Sequence, residues 1–424
     1  MKKTNLAYFG GEKAITYSSP HWKWPPFSET KIKKIEKYYK EGEKKNKSGY
    51  PLVVEEFERN FAKYLNMKYS LSTNSGTSSL HAAFFAINLK KGDEVIVPAM
   101  TFHATASPII SYNAVPIICD CESDTGNIDP EDIIKKISPK TKAIVITHLC
   151  GHPCEMEKII KIKEEKNLYL IEDCSHAHGS KYNGNKVGTF GDVACFSLDN
   201  NKLLAAGEGG ILVTNSKLFF ERALINSDFS ERIKFQIELE DNKKFNETGL
   251  GFKHRIHPVS AIIANYELEQ IDYYINKRNE VLNYFSKKIE KIPGISPPIT
   301  RKNNHRGAFF GYRPFFNSKD LKNISIDNFM KILRAEGMEV RQSGNLPLHL
   351  LPLFSDPESG PKFTGKDEKY YKKYLQGDLP KSEIFYNSTI SIPTFTFEEK
   401  KLIDQYISAF EKVCFFLSKN EVKI

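Results

Sequence analysis

No run of about twenty apolar residues occurs anywhere in this chain, so no membrane-spanning helix is expected. The N-terminus opens on Lys2 and Lys3 without the continuous apolar stretch of a signal peptide. Zinc-finger, P-loop and RNP signatures are absent, as are internal repeats and low-complexity tracts, and the function classes those patterns mark are not expected. Cysteine is sparse: seven in 424 residues, an odd number spread from Cys119 to Cys414 without disulfide-framework spacing. The close pairs Cys119/Cys121 and Cys150/Cys154 lack suitably spaced metal-binding partners. Reduced, mostly buried thiols of a cytoplasmic protein are the expectation, and no metal site is.

Charge of one sign is not concentrated either. The net charge of +9 could indicate a nucleic-acid partner, but the lysines fall on helical stretches such as 31–45 and 158–166, interleaved with glutamates. That interleaving predicts solvated helix faces, with some attraction for anionic substrates, and neither a nucleic acid nor a membrane as partner. A hydrophobic fraction of 40% beside 27% charged residues is ordinary for a globular enzyme. The length allows two domains.

Residues 1 to about 50 read as an extended arm, with Pro20, Pro25 and Pro26 around Trp22 and Trp24, followed by a lysine-rich helix. Such an arm packs on a partner subunit or lies on the surface. From residue 55 the chain settles into alternation. Helices are predicted over 55–65, 129–137 and 155–165, and strands over 94–98, 115–119, 143–147, 168–171, 193–197 and 211–214. Alternation of this kind predicts an α/β fold with a mostly parallel central sheet, whose functional residues fall at strand C-termini. One or two long helices over 259–284 bridge to a small α+β C-terminal domain, with an aromatic strand over 309–316, a helix over 327–336 and a strand over 338–341. The domains are set at 1–270, the large one with its arm, and 271–424. The segment Pro347-Leu348-His349 and the polar stretch 355–378 are expected as loops over the site.

The chemistry concentrates in 168–214. An apolar strand ends in Glu172 and Asp173, a second ends in Ser197, and Lys202 follows before the glycine-rich Gly207-Glu208-Gly209-Gly210. Alone, Lys202 is an ordinary loop lysine. With a strand-end carboxylate and a serine in register it matches the needs of pyridoxal 5'-phosphate. An amine condenses with the aldehyde, a carboxylate keeps the pyridine nitrogen protonated, and hydroxyl donors suit the phosphate. Upstream, Asn74-Ser75-Gly76-Thr77 opens a helix bearing Leu80, Ala83, Phe84 and Ile87 on one face. Small residues there leave backbone N–H groups for an anion, or Ser75 or Thr77 simply caps the helix. Phe102, after the 94–98 strand, is either a ring-stacking aromatic or an ordinary core residue. The histidines of 148–153 sit in a post-strand loop and are not read as metal ligands.

Three segments, Ile171-Glu172-Asp173-Cys174-Ser175-His176-Ala177-His178-Gly179, Gly191-Asp192-Val193-Ala194-Cys195-Phe196-Ser197 and Asn201-Lys202-Leu203-Leu204-Ala205-Ala206-Gly207-Glu208-Gly209-Gly210, resemble the DegT/DnrJ/EryC1/StrS family of sugar aminotransferases. Matches extend from Asn74 past Arg255, with weaker ones near Pro347 and Pro393. The resemblance implies a fold-type-I pyridoxal-phosphate-dependent transferase. It makes Lys202 and Asp173 catalytic, as the aldehyde-binding lysine and the pyridine-nitrogen partner. It places Gly76, Thr77 and Ser197 at the cofactor phosphate, Phe102 on the ring face and His176 near the ring hydroxyl. In the loop Gly249 to Pro258 the family commonly carries asparagine where Lys253 stands; that loop crosses to the neighbouring subunit's cofactor phosphate, so Lys253 is a cofactor contact by resemblance, or else Lys253 and Arg255 are surface charges. Leu203 also departs from a frequent asparagine.

The implied activity is transfer of an amino group from an amino acid, glutamate or glutamine, to a keto-sugar or cyclitol ketone, in amino-sugar, polysaccharide or secondary-metabolite biosynthesis. A homodimer with shared active sites is implied with it. The alternatives are a dehydratase of the same family, in which histidine replaces the lysine, and a non-catalytic cofactor-binding regulatory protein.

Overall fold

The computed structural model describes residues 6–17, 24–229, 231–307, 309–342, 344–356 and 373–422. Pro20, Trp22 and most of the 355–378 stretch lie outside the described residues. Seven strands form the central sheet: β1 (Tyr69–Thr73), β2 (Glu94–Pro98), β3 (Val115–Cys119), β4 (Thr141–Thr147), β5 (Tyr169–Asp173), β6 (Val193–Ser197) and β7 (Gly210–Thr214). Their spatial order is β1-β7-β6-β5-β4-β2-β3. Every pairing is parallel except the two made by β7. The expected mostly parallel α/β sheet is present.

The strands read as continuous apolar runs because both faces of the sheet are covered. In β2, Val95 and Val97 enter one core with Leu80, Phe84 and Leu212, while Ile96 between them enters another with Ile144, Met156 and Ile159. The helices up to the end of the sheet region are α1 (Glu29–Glu41), α2 (Leu52–Leu65), α3 (Gly76–Ala86), α4 (Ser107–Ser111), α5 (Pro130–Lys136), α6 (Met156–Glu165) and α7 (Lys217–Ser227). Of these, α3 and α7 cover the first face and α6 covers the second. Because β7 runs against its neighbours, its first residue, Gly210, lies beside Thr73 and Ser197, the last residues of β1 and β6. A Cβ on Gly210 would stand 2.3 Å from the Ser75 carbonyl oxygen. Glycine alone lets β7 start beneath the turn that opens α3.

The lysine-rich segment forms α1 (Glu29–Glu41), capped by Ser28, whose side chain accepts the Lys31 N–H. Its outer face carries the ion pairs Lys40–Glu36 and Lys37–Glu41, as a solvated face should. Lys31 is the exception, buried against Glu267 at 2.6 Å. The seven cysteines are all buried and free. Among the described residues no helix is long and apolar enough to cross a membrane.

One helix, Pro258–Ile289, spans the expected boundary between residues 270 and 271. Its first half packs Ala261, Ala264 and Ile271 with Phe57 and Phe61, and its last turns place Leu282, Phe285 and Ile289 in a second core with Phe329, Phe395 and Phe410. Leu6 and Ile15 join that second core, although the sequence assigns them to the large domain. Glu336 holds them there, accepting the N–H groups of Ala7 and Ala14 at 2.8 and 3.0 Å.

Three expectations in the C-terminal half change. The 309–316 stretch pairs as a strand only over Phe315–Phe316, because Phe309 and Gly311, with φ of +40° and +78°, break the extended run. The strand expected over 338–341 is the pair Arg341–Gln342. Pro347-Leu348-His349 is no loop over the site: Leu348 is buried in the sheet core, its N–H bonds the Ala99 carbonyl at 2.9 Å, and the buried His349 meets Glu383.

Candidate active site

A cavity of about 420 Å³ opens at the C-terminal ends of the parallel strands, the position such sheets give to ligands. Gly76, Thr77, Phe102, Asp173, His176, Ser197 and Lys202, drawn from four segments of the chain, line it together.

The two carboxylates ending β5 divide by strand alternation. Glu172 points into the protein and accepts N–H groups from Gly188, Phe190 and Gly191 at 2.7, 2.8 and 2.6 Å, with His148 Nε2 at 3.0 Å. Glu172, His148 and Cys174 are close enough together to suit a metal. Glu172, however, is saturated by protein donors, and His148 Nδ1 accepts the Cys154 N–H. Asp173 turns the other way. Its Oδ2 accepts the Thr105 hydroxyl at 2.6 Å and its Oδ1 accepts the Ser175 N–H at 3.0 Å. Thr101 in turn bonds both Thr105 and Thr147, so the carboxylate is fixed in place.

Lys202 sits on a turn closed by its own N–H to the Asp199 carbonyl at 2.8 Å. The next two residues, Leu203 and Leu204, are buried in the core and anchor the turn. Leucine at 203, where the family often has asparagine, therefore serves packing. The amine lies 3.9 Å from the centroid of the Phe310 ring. Burial lowers its pKa, while the charges of Asp173 and Asp199 act in the opposite direction.

Helix α3 brings its N-terminus to the same place. Ser75 caps it, accepting the Ser78 N–H at 3.1 Å, so the capping reading is correct for Ser75. The cap leaves Gly76 and Thr77 facing the cavity. A Cβ on Gly76 would come within 2.8 Å of the Ser197 Cβ, so glycine is what lets helix and β6 meet. Phe102 is 46% exposed and lines the cavity, which removes the core reading. His176 is buried and stacks on Phe310 at 4.1 Å and 20°. Burial, then the charges of Lys202 and Arg313, push its pKa well down, and its Nδ1 has no hydrogen-bond partner among the described residues.

Lys253 is not brought to this cavity. It lies exposed on the loop before the long helix, with a φ of +57°. Its neighbour His254 accepts the Asn74 N–H at 2.8 Å, which ties the loop to the start of the α3 turn.

Several cavity residues carry no motif: Phe310, Arg313 and Arg341 line it from the C-terminal layer, and Asp199 from the lysine turn. Trp24, from the N-terminal arm, donates its indole N–H to the Lys202 carbonyl. Nothing local marks these residues. The one usable signal was aromatic richness around 309–316 and at Trp24.

The sheet order, the antiparallel β7 and a lysine among the strand ends define the fold-type-I aminotransferase class. An aminotransferase from Psychrobacter cryohalolentis of known structure superposes with a TM-score of 0.81 over 94% of this chain and 99% of that one, at 24% identity. The DegT/DnrJ/EryC1/StrS aminotransferase family matches residues 28–410, and the chain belongs to it. A GDP-perosamine synthase of Escherichia coli O157:H7 is 38% identical over 56% of this chain and 64% of that protein. A putative L-glutamine:3-amino-2,3-dideoxy-scyllo-inosose aminotransferase of Micromonospora echinospora is 29% identical over 82% of each chain.

Proposed function

We propose that this protein is a pyridoxal 5'-phosphate-dependent aminotransferase that moves an amino group from glutamate or glutamine to the ketone of a sugar or cyclitol. One observation carries the reading: a half-buried lysine amine with a lowered pKa shares a cavity with a carboxylate fixed at both oxygens. The relatives that act on a GDP-sugar and on an aminoinosose support the acceptor class.

The residues present fit that cofactor. Lys202 offers the amine, Asp173 the carboxylate, and the α3 N-terminus with Gly76, Thr77 and Ser197 the phosphate cradle. The unpartnered Nδ1 of buried His176 is a polar atom in want of a partner. When bound, the cofactor supplies an aldehyde that takes up the amino group and a ring that draws electrons from the reacting carbon. Asp173, held by Thr105 and Ser175, keeps a proton on the pyridine nitrogen. The N–H groups of α3 and its dipole hold the phosphate. Phe102 covers the ring face. Lys202 would move the proton from the donor's alpha carbon, and the burial that lowers its pKa favours the neutral amine such a base needs. His176 stays neutral.

The protein works as a homodimer in which Lys253, exposed on its loop, meets the phosphate held by the partner subunit. The chain divides at the Pro258–Ile289 helix into a cofactor-binding part and a smaller cap.

The test is the visible spectrum of the cofactor-loaded protein. Glutamate or glutamine should bleach the bound cofactor's absorbance, and a keto-sugar or keto-cyclitol should restore it. A spectrum that no amino donor changes would leave a binding protein, and the enzymatic reading would fall.

A further inference from the structure

Arg313 and Arg341 line the same cavity as Asp173, and the backbone explains why both face it. The segment 389–392 is flanked on its two edges: Tyr312 bridges to Ile392 on one side, and Arg341 pairs with Ser391 on the other. Neighbouring strands lie about 4.8 Å apart, so the two arginine backbones are roughly 10 Å apart, a gap two long side chains close. Tyr312 and Val340 are buried, Tyr312 with its hydroxyl 2.6 Å from Ser286 Oγ. Alternation then turns the next residue of each segment, Arg313 and Arg341, to the opposite face. Gly344 supplies bare backbone there: a Cβ on it would stand 2.7 Å from Arg313 Nη2.

Both guanidinium groups line the lysine cavity and also a larger adjoining cleft of about 710 Å³. Among the described residues neither makes a hydrogen bond or an ion pair. The acids of the cavity are Asp173, at the end of β5, and Asp199 and Glu208, in the loop between β6 and β7. Glu339 and Glu398 line only the cleft. Arginine presents planar donors that match the oxygens of a carboxylate or phosphate. Two such groups beside an amine-bearing cavity, with no acid assigned to them, have an anion as their natural partner.

Resting on the aminotransferase reading, we infer that Arg313 and Arg341 form a joint binding site for the oxyanion that a substrate carries away from its reacting carbon. Two sources share that chemistry: the distal carboxylate of a dicarboxylic amino donor and the phosphate of an acceptor. Both arginines also line the adjoining cleft, which Lys202 does not reach, so the site orients the substrate and takes no part in proton transfer. These are positioning residues.

The test uses two unreactive probes, glutarate and inorganic pyrophosphate, titrated calorimetrically into the cofactor-loaded wild type, Arg313→Gln and Arg341→Gln. Both variants should melt within a few degrees of the wild type. The wild type should bind at least one probe, and each variant should weaken that probe at least tenfold. Glutarate alone assigns the site to the donor carboxylate; pyrophosphate alone assigns it to an acceptor phosphate. Affinities within twofold of wild type in both variants overturn the inference. So does a wild type that binds neither probe while Lys202 still takes the cofactor label on borohydride reduction. If Lys202 takes no label but both variants still weaken the probe, the catalytic reading fails and the anion site stands.

Discussion

Trp24 donates its indole N–H to the backbone carbonyl of Lys202 at 2.8 Å. The ring is held edge-on by Tyr274 at 5.3 Å, stacked toward Phe397 at 6.3 Å, and covered by Arg278 at 4.6 Å. The arm thus ends in an aromatic nest on its own chain's lysine turn, and a residue far from any motif sets the backbone that carries the amine.

Trp24→Phe keeps the ring packing and removes the donor. One hydrogen bond contributes about 1 kcal/mol, so cofactor affinity should fall roughly fivefold with the melting temperature little changed. Titration of pyridoxal 5'-phosphate by absorbance reads this. An unchanged affinity would mean the bond does not position the turn.

Gly76→Ala sets a Cβ 2.8 Å from the Ser197 Cβ and 3.1 Å from its Cα. Helix α3 or β6 must move, at a cost of about 1–3 kcal/mol. Both stability and cofactor affinity should fall. Adding Ser197→Gly removes the contact with the Ser197 Cβ and with it the hydroxyl; thermal stability should then recover in part while cofactor affinity does not. Recovery of both together would remove Ser197 from the phosphate cradle.

Acid lability should track His152. Burial, then the charge of Arg306, pushes its pKa down to about 3 from 6.5. The neutral ring is used at both nitrogens: Nδ1 donates to the Pro153 carbonyl at 2.7 Å, and Nε2 accepts the Arg301 N–H at 3.2 Å. The folded pKa is depressed, so below pH 6.5 the unfolded chain holds the extra proton. The stability this ring contributes is complete above pH 6.5 and is lost as pH falls toward 3, at about 1.4 kcal/mol per pH unit. His152→Gln should be less stable at pH 7 and show a shallower slope of unfolding free energy between pH 6.5 and 4. An identical slope would clear His152 of the effect.

The legible part of this structure was the part written in local pattern. The strands at 94–98, 115–119 and 193–197 appear with the bounds the sequence implies, because buried parallel strands leave unbroken apolar runs. Asp173, Ser197 and Lys202 could be located because each ends a strand or precedes a glycine turn. Arg313 and Arg341 could not: they meet through the 389–392 segment, a non-local pairing that no spacing encodes. The expected strand over 309–316 misread a row of aromatics, whose backbone turns at Phe309 and Gly311. The segment Pro347-Leu348-His349 is expected as a loop over the site, yet His349 is buried beside Glu383.

Lys253 has its own test, in mixed subunits. Lys202→Ala and Lys253→Ala homodimers should each be poorly active. Mixed and allowed to exchange, they should regain activity, since each heterodimer holds one site with an intact lysine and an intact crossing loop. A Lys253→Ala homodimer with nearly full activity, or a monomer at assay concentration, would end the shared-site proposal.

Lys202 is proposed as the amine that binds the cofactor. Reduction of the cofactor-loaded protein with borohydride, followed by peptide mapping by mass, should put the cofactor mass on the peptide bearing Lys202, and Lys202→Ala should lose it. The same mass on any other lysine, or a Lys202→Ala protein that still takes it up, would rule Lys202 out.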